Sequence, residues 1–239
     1  MENKKLTIAA LILSLGLIFG GFFTGFYYYK AHFGSNFVTV KGLAETSVKA
    51  DLAVWELKFL QTGDDAVTLQ QKMHNQEEII TAHLKNLGFE DGEIYIGRLD
   101  TNDLTANPYN TNNTIHFILT QTITVKSNKV DLVASSLGKM GSLIEKGIIF
   151  DSQSYSSPVN YLFTKLNDIK PQMLSEATKN AKIAAEEFAK NSGAKVGKIH
   201  TAQQGVFTIL PSEEIPYLQE TQQINKKVRV VSTITYYLE

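Results

Sequence analysis

The sequence contains no cysteine, and only five prolines and one tryptophan among its 239 residues. Without thiols the chain cannot form disulfides, thiolate zinc sites, iron–sulfur clusters or a cysteine nucleophile. It also lacks a charge excess, because 23 lysines and arginines stand against 24 aspartates and glutamates, a formal net charge of −1. A general nucleic-acid binder needs a basic face to neutralise phosphates, so this balance argues against that class of protein.

Enzyme motifs are missing as well. No GxxxxGK[ST] loop, GxGxxG fingerprint, GxSxG nucleophile elbow or HExxH metal motif occurs in the sequence. His74 and His83 share a predicted helix, but a spacing of nine residues places them on opposite sides, so they cannot chelate one metal together. Adjacent carboxylates such as Asp64 and Asp65 diverge, whereas acid–base catalysis needs two that converge on one cleft. We therefore predict no catalytic residue, no cofactor and no metal, and we expect a protein that is not an enzyme.

The longest uncharged run covers residues 6–29, which are 24 residues without one charged side chain. At a rise of about 1.5 Å per residue, a helix of this length crosses a hydrocarbon core of about 30 Å. The apolar region of a signal peptide is shorter, typically about 7–15 residues, and no clean small-residue cleavage site follows this run. We therefore favour an uncleaved signal anchor over a signal peptide that is removed.

The flanking charges predict how this helix is oriented. Lys4 and Lys5 precede the run, opposed by one glutamate, and Lys30 follows it. The positive-inside rule then favours a cytoplasmic location for residues 1–5, and an interfacial aromatic belt on the far side explains the three tyrosines at 27–29. We predict a single-pass inner-membrane protein whose C-terminal part lies in the periplasm or at the cell exterior.

Small residues recur inside the apolar run. Gly16, Gly20 and Thr24 lie four residues apart, and so do Gly21 and Gly25. Small residues at this spacing let two membrane helices approach closely, although glycine is also common in membrane helices in general. The sequence therefore offers Gly16, Gly20 and Thr24 as a candidate membrane-helix contact.

Beyond a spacer at 30–36, residues 37–239 combine strand and helix patterns without a clean linker or an internal repeat. Alternation of apolar and polar residues predicts strands, and apolar positions three or four apart predict helices. Because pairs of strands fall between helices, we expect one α+β domain in which about three helices pack on a mixed or antiparallel sheet. The predicted strands and extended segments are residues 37–42, 50–62, 94–104, 115–126, 148–161, 196–203 and 228–238, with a turn or bulge at 45–49.

Three helices are predicted between these strands. Asp64 caps the first helix, which runs to about residue 87, and the second helix covers residues 129–146. Asn167 caps the third, and Pro171 falls in its first turn, where the missing amide of proline is tolerated. The buried stripe of the third helix is predicted to consist of Met173, Ala177, Ala181, Ala184 and Phe188.

Two long excursions interrupt the pattern, at residues 102–114 and 206–227. Long loops on a rigid scaffold often carry recognition. The second excursion is rich in apolar residues, which a solvent-exposed loop rarely needs. These residues either pack on their own domain or contact a neighbouring subunit. The candidate oligomer contacts are Phe207, Ile209, Leu210, Ile215 and Tyr217.

Several stretches resemble the SIMPL-domain family, a domain of unknown function. Residues 38–45 (VTVKGLAE) resemble the first strand of that family, which is followed by a second strand beginning near an aspartate such as Asp51. Residues 176–199 resemble its signature helix–turn–strand, and residues 228–235 (VRVVSTIT) resemble its closing strand. The resemblance covers nearly all of residues 37–239.

The resemblance implies an envelope or periplasmic protein, stress phenotypes and, for some relatives, ring-like homo-oligomers. It supplies no catalytic residue set. Our first hypothesis is a non-catalytic, membrane-anchored homo-oligomeric scaffold or interaction module of the cell envelope, linked to stress tolerance and open to an unknown envelope partner. A second is a module that binds a small ligand or peptide near the two excursions, and a third is an unrecognised hydrolase with a buried, pKa-shifted group in a pocket.

Overall fold

The computed structural model describes the protein over residues 2–33, 36–106, 115–151 and 159–239. Its first element is helix α1, Glu2–Phe33, which extends the predicted apolar helix at both ends. Within α1 the segment Leu11–Lys30 has the length and hydropathy of a membrane span, and none of it is buried. A membrane anchor and a signal sequence both fit this segment.

The remaining elements confirm the predicted α+β class. Four further helices follow α1 in the described ranges: α2 (Ala66–Asn86), α3 (Val130–Ser136), α4 (Gly141–Ile144) and α5 (Leu166–Ser192). The strands are β1 (Asn36–Lys49), β2 (Leu52–Gly63), β3 (Ile94–Asp103), β4 (Phe117–Ser127), β5 (Ile149–Phe150), β6 (Val159–Leu162), β7 (Val196–Gln204), β8 (Thr208–Pro211) and β9 (Asn225–Leu238).

The strands form two sheets of antiparallel strands instead of the single sheet expected. One sheet has the order β1-β9-β7, and β8 also pairs with β9. The other has the order β3-β4-β2-β5, and β6 also pairs with β2. Strand β2 is therefore central, with β4 along one edge and both β5 and β6 along the other.

The chain divides into two compact units. We call Met1–Glu45, Pro171–Phe207 and Arg229–Glu239 the anchor unit, because it contains α1. We call Thr46–Lys170 and Thr208–Val228 the large unit. The predicted boundaries at residues 1–5, 6–29, 30–36 and 37–239 stay a prediction.

The core of the large unit is built on β2. Its inward residues alternate along the strand, so that Trp55, Leu57 and Phe59 are buried at every second position. They belong to one cluster with buried residues of α2, among them Met73 and Ile80. The buried positions thus alternate along β2 and follow one face of α2.

In the anchor unit, a face of small residues on α5 is buried against the sheet. Ala181 and Ala185 cluster with Val38, Ile234 and Tyr236 of β1 and β9. The helix packs this closely because Gly42 of β1 has no side chain. A Cβ added to Gly42 would overlap the carbonyl oxygen of Ala177 and approach the amide nitrogen of Ala181 at 2.5 Å. Backbone therefore meets backbone at this point.

The predicted stripe of α5 is wrong at two positions. Ala184 is exposed and Phe188 is 55% exposed, whereas Ala185 and Ala189 are buried. The buried positions of α5 are spaced by four residues from Met173 to Ala189, so positions 184 and 188 lie beside the buried face. The helix also begins at Leu166, so Asn167 lies inside it, and Pro171 lies within the helix and beyond its first turn.

Two other expectations differ from the structure. The predicted turn or bulge at 45–49 lies inside a strand, and the turn is wrong, because β1 continues to Lys49 with the polar residues Glu45, Ser47 and Lys49 on its exposed side. Asp65, and not Asp64, caps α2 through the amides of Val67 and Thr68.

The predicted helix at 129–146 is divided into α3, a 3₁₀ turn (Leu137–Lys139) and α4. Glycines 138 and 141 fall at these breaks, and each weakens a helix by about 1 kcal/mol relative to alanine.

The structure describes the second excursion completely and the first only in part. Residues 107–114 of the first lie outside the described ranges, as do residues 152–158 of the predicted extended segment, whereas the second contains β8 and a 3₁₀ turn.

Candidate functional site

The second excursion is held at its stem by a buried lysine. Lys226 is completely buried, and its Nζ donates a hydrogen bond to the carbonyl oxygen of Glu220 at 2.7 Å and pairs with the carboxylate of the same residue. A buried ammonium group is tolerated only with such partners, since an uncompensated charge away from water is costly. The 3₁₀ turn Glu220–Gln222 is thereby fixed to the start of β9.

A second tie closes the loop above this stem. The Nε2 of Gln223 donates to the carbonyl oxygen of Glu213 at 2.9 Å, and the amide of Glu213 donates to Oε1 of Gln223 at 3.4 Å. The amide of Gln219 also donates to Oε1 of Gln222 at 3.1 Å. We call residues 213–219, which these bonds enclose, the loop tip.

Tyr217 is the outstanding residue of the loop tip. It is fully exposed, and its φ is +67°, the one positive value at a residue other than glycine in the described ranges. The left-handed conformation costs an ordinary residue about 1–2 kcal/mol. Ile215 and Leu218 are also exposed beside it in sequence. A strained, exposed aromatic residue on a tied loop is typical of a recognition element.

The structure divides the five predicted oligomer contacts. Ile215 and Tyr217 are exposed at the loop tip, whereas Ile209 and Leu210 are half-buried on β8. Phe207 is half-buried and belongs to the anchor unit. The hydrophobicity of the excursion suggested all five equally, because composition does not distinguish a residue that packs inward from one that faces solvent.

On the membrane helix the predicted glycines leave open space. A Cβ added to Gly16 or Gly20 would meet no atom within 4 Å, and a notch of about 500 Å³ opens beside Gly16, lined also by Ile12 and Leu17. The hydroxyl of Thr24 donates to the carbonyl oxygen of Gly20 within the same helix. Contact with another helix through Gly16, Gly20 and Thr24 stays a prediction.

The titratable groups of the described ranges do not form a metal cluster, since no three histidines, aspartates or glutamates lie together there. His74 is exposed with its Nε2 3.6 Å from Oε1 of Glu78. His83 is different, because its Nε2 is buried without a hydrogen-bond partner. His116 lies 3.8 Å from the carboxylate of Asp64.

The carboxylates with shifted pKa values tie turns together. Burial opposes the ionisation of Asp51, but the amide and hydroxyl of Thr164 donate to its carboxylate at 2.6 and 2.7 Å and lower its pKa. Burial likewise opposes the ionisation of Glu93, while Ser127 and Lys129 lower its pKa through bonds of 2.6 and 3.0 Å. Both carboxylates have structural partners, so their shifts do not indicate catalysis.

A comparison with models of known protein families shows to which family the chain belongs. The model of the family SIMPL, described as a protein of unknown function (DUF541), matches residues 38–232. The chain belongs to the SIMPL family. The match begins in β1 and ends in β9, and it leaves α1 outside. No curated protein matches this SIMPL chain significantly, so no residue role is transferred to it.

Proposed function

We propose that this SIMPL protein is a non-enzymatic, membrane-anchored interaction module of the cell envelope that associates with copies of itself. In this proposal α1 is an uncleaved anchor, residues 1–5 are cytoplasmic and residues 36–239 lie in the periplasm or at the cell exterior. The link to stress tolerance that the family resemblance implies is part of the proposal. The observation that carries it is the presentation of Tyr217 at the loop tip.

The energetics of Tyr217 support a partner outside the chain. Its left-handed conformation is unfavourable for tyrosine, and its fully exposed ring gains no burial within the chain in return. The ties through Lys226 and Gln223 hold the loop in this form before any partner binds. Preorganised aromatic side chains are the residues that contribute most to protein interfaces, because they bury large areas at low entropic cost.

The candidate membrane helix α1 favours a second copy of the same chain as that partner. Chains anchored in one membrane share two dimensions and one orientation, which raises their effective concentration. The open row at Gly16 and Gly20 permits close approach of two α1 helices. Weak contacts between loop tips then suffice for a symmetric assembly.

The test is the mass of the full chain in a neutral detergent, measured by analytical ultracentrifugation over a range of concentrations. Tyr217→Asn removes the ring, while asparagine tolerates the left-handed conformation, so the variant keeps or slightly gains stability. We expect self-association to weaken by about tenfold or more, as for an interface hot spot. Tyr95→Asn is the matched control, since Tyr95 is a half-exposed tyrosine of the same unit on β3.

The outcomes separate the two contact regions. A loss with Tyr217→Asn and none with Tyr95→Asn supports association through the loop tip. A loss only with Gly16→Leu/Gly20→Leu assigns the contact to α1 and overturns the role of Tyr217. A chain that stays monomeric at every concentration overturns the proposal of self-association.

A further inference from the structure

A groove of about 500 Å³ runs along α5 in the anchor unit. Its helical wall consists of Ser175, Thr178, Lys179 and Lys182, whose spacings of three and four place them on one face of α5. Its other wall is β7, the last strand of its sheet. The helical wall therefore offers two hydroxyls and two ammonium groups to the groove.

The charge of the groove is positive. Lys198 of β7 lines it together with Lys179 and Lys182. Lys179 and Lys198 have no carboxylate within 4.0 Å among the described residues, whereas Nζ of Lys182 lies 3.8 Å from Oε1 of Glu186. Glu239 is also close to the groove, since its Oε1 would lie 2.7 Å from a Cβ added to Gly197. Two ammonium groups thus remain available to an anion.

The largely buried side chain of Tyr236 also points to a ligand in the groove. This residue of β9 is only 4% exposed, it lines the groove, and its hydroxyl has no hydrogen-bond partner among the described residues. The hydroxyl is not among the fully buried polar atoms that lack a partner, so its accessible part faces the groove, where it can donate to a ligand or to water. Burial raises the pKa of the Tyr236 phenol, and the charge of Glu186 raises it further.

We propose that this groove binds the phosphate group of an anionic ligand, with Lys179 and Lys198 supplying charge and Tyr236 supplying a hydrogen bond. Phosphate oxygens are strong acceptors, and their bonds to ammonium groups are about twice as strong as neutral ones. Ser175 and Thr178 add hydroxyl donors along the helical wall. The source of the phosphate is either a free phosphate compound or the headgroup of an anionic phospholipid, since the same unit contains the candidate membrane helix. The site is independent of the proposed self-association.

The absence of cysteine makes the groove easy to probe in the full chain. Ile199→Cys places a single thiol in its wall, and a neutral maleimide reports how accessible that thiol is. In neutral detergent we expect inorganic phosphate to slow alkylation in a saturable way. Lys179→Gln/Lys198→Gln should weaken this protection by about tenfold or more, since each ammonium contact with an anion is a charge-assisted bond.

Matched variants separate a built site from general attraction. Lys41→Gln/Lys190→Gln removes the same charge from exposed lysines of the anchor unit outside the groove, and it should leave the protection unchanged. Tyr236→Phe removes only the hydroxyl and should weaken protection several-fold. Glu239→Gln should strengthen it, because a competing negative charge is lost.

A second experiment, in lipid membranes, distinguishes the two sources of phosphate. The same thiol variant is placed in nanodiscs of phosphatidylcholine, with or without phosphatidylglycerol. Protection by phosphatidylglycerol alone supports a lipid headgroup, and protection by inorganic phosphate alone supports a free compound. The proposal is overturned by the absence of saturable protection in both arms, or by equal weakening in the groove variant and its lysine control.

Discussion

The two units of this protein are stabilised in different ways. In the described part of the large unit, nineteen buried residues form one cluster that includes Trp55 and Phe59. In the anchor unit the cluster has five buried residues, of which Ala181 and Ala185 are the helical members. The large unit gains stability from apolar area, whereas the anchor unit depends on the close fit of α5 at Gly42.

The two units also differ in net charge. The anchor unit contains ten basic and six acidic residues, a formal charge of +4, and the large unit contains thirteen basic and eighteen acidic residues, a formal charge of −5. The near-zero total of the chain conceals this difference. A net charge close to zero therefore excludes a uniformly basic protein but does not exclude a local site for an anion.

The largest effect is expected from Trp55→Ala in the large unit. This change removes a fully buried indole that contacts the ring of Phe89 edge-on, so we expect a loss of about 3–5 kcal/mol in the free energy of unfolding. Hydrogen exchange of the full chain in neutral detergent measures it, because exchange is resolved along the chain. Ile144→Ala is the control, since Ile144 is largely exposed in the same unit. Faster exchange of equal size in α5 and β4 would contradict the view of two separate cores.

A smaller effect is expected from Gly42→Ala in the anchor unit. The added methyl group overlaps the backbone of α5, which cannot yield as a side chain does, so we expect a loss of about 1–3 kcal/mol. The exchange of amides at 177–185 reports it. Gly92→Ala is the matched control, because a Cβ there meets no atom within 4 Å. Unchanged exchange in α5 would show that the helix does not depend on this contact.

The smallest effect concerns the acid stability of the large unit. Burial opposes the ionisation of Asp51, but hydrogen bonds from Thr164 outweigh it and hold the pKa below its unfolded value of about 4. The contribution of Asp51 is therefore present above that pH and is lost as the pH falls through the folded pKa. Solvent screening keeps this contribution at about 1 kcal/mol. Asp51→Asn should destabilise at neutral pH and lose its effect in acid.

Denaturant titrations followed through the single tryptophan, across pH, measure this change. Asp131→Asn is the control, because Asp131 pairs with Lys49 at an exposed surface position, where such pairs contribute little. A difference between Asp51→Asn and the native chain that grows as the pH falls would contradict the assignment.

Local patterns in the sequence predicted most elements of the fold. The alternating strand at 50–62 and the helix that ends near residue 87 depend on local burial patterns, and the structure contains both, as β2 and α2. Phe188 was misplaced because its hydrophobicity favoured a buried position, whereas α5 buries alanines spaced by four and leaves Phe188 55% exposed. The buried face of a helix depends on contacts such as that of Gly42 with Ala177 and Ala181, which local sequence patterns do not reveal.

The candidate sites were predictable only in part. The apolar residues of the second excursion pointed to Tyr217, but its exposure follows from the bonds of Lys226 and Gln223, which no motif marks. Lys179, Lys198 and Tyr236 lie on three elements that are distant in sequence, so their meeting in one groove was not foreseen. Side chains that converge from separate elements become visible only in the fold.

The pairing of β1 with β9 has a consequence for the order of folding. The hydroxyls of Thr39 and Thr235 lie 2.9 Å apart across this pair, although 196 positions separate them along the chain. β1 is synthesised directly after α1 but must wait for residues 225–238 before its ladder is complete. During that interval its backbone groups are open to any other strand, which is the situation in which chaperones act. The earliest folded-domain segment to be made is thus among the last to be completed.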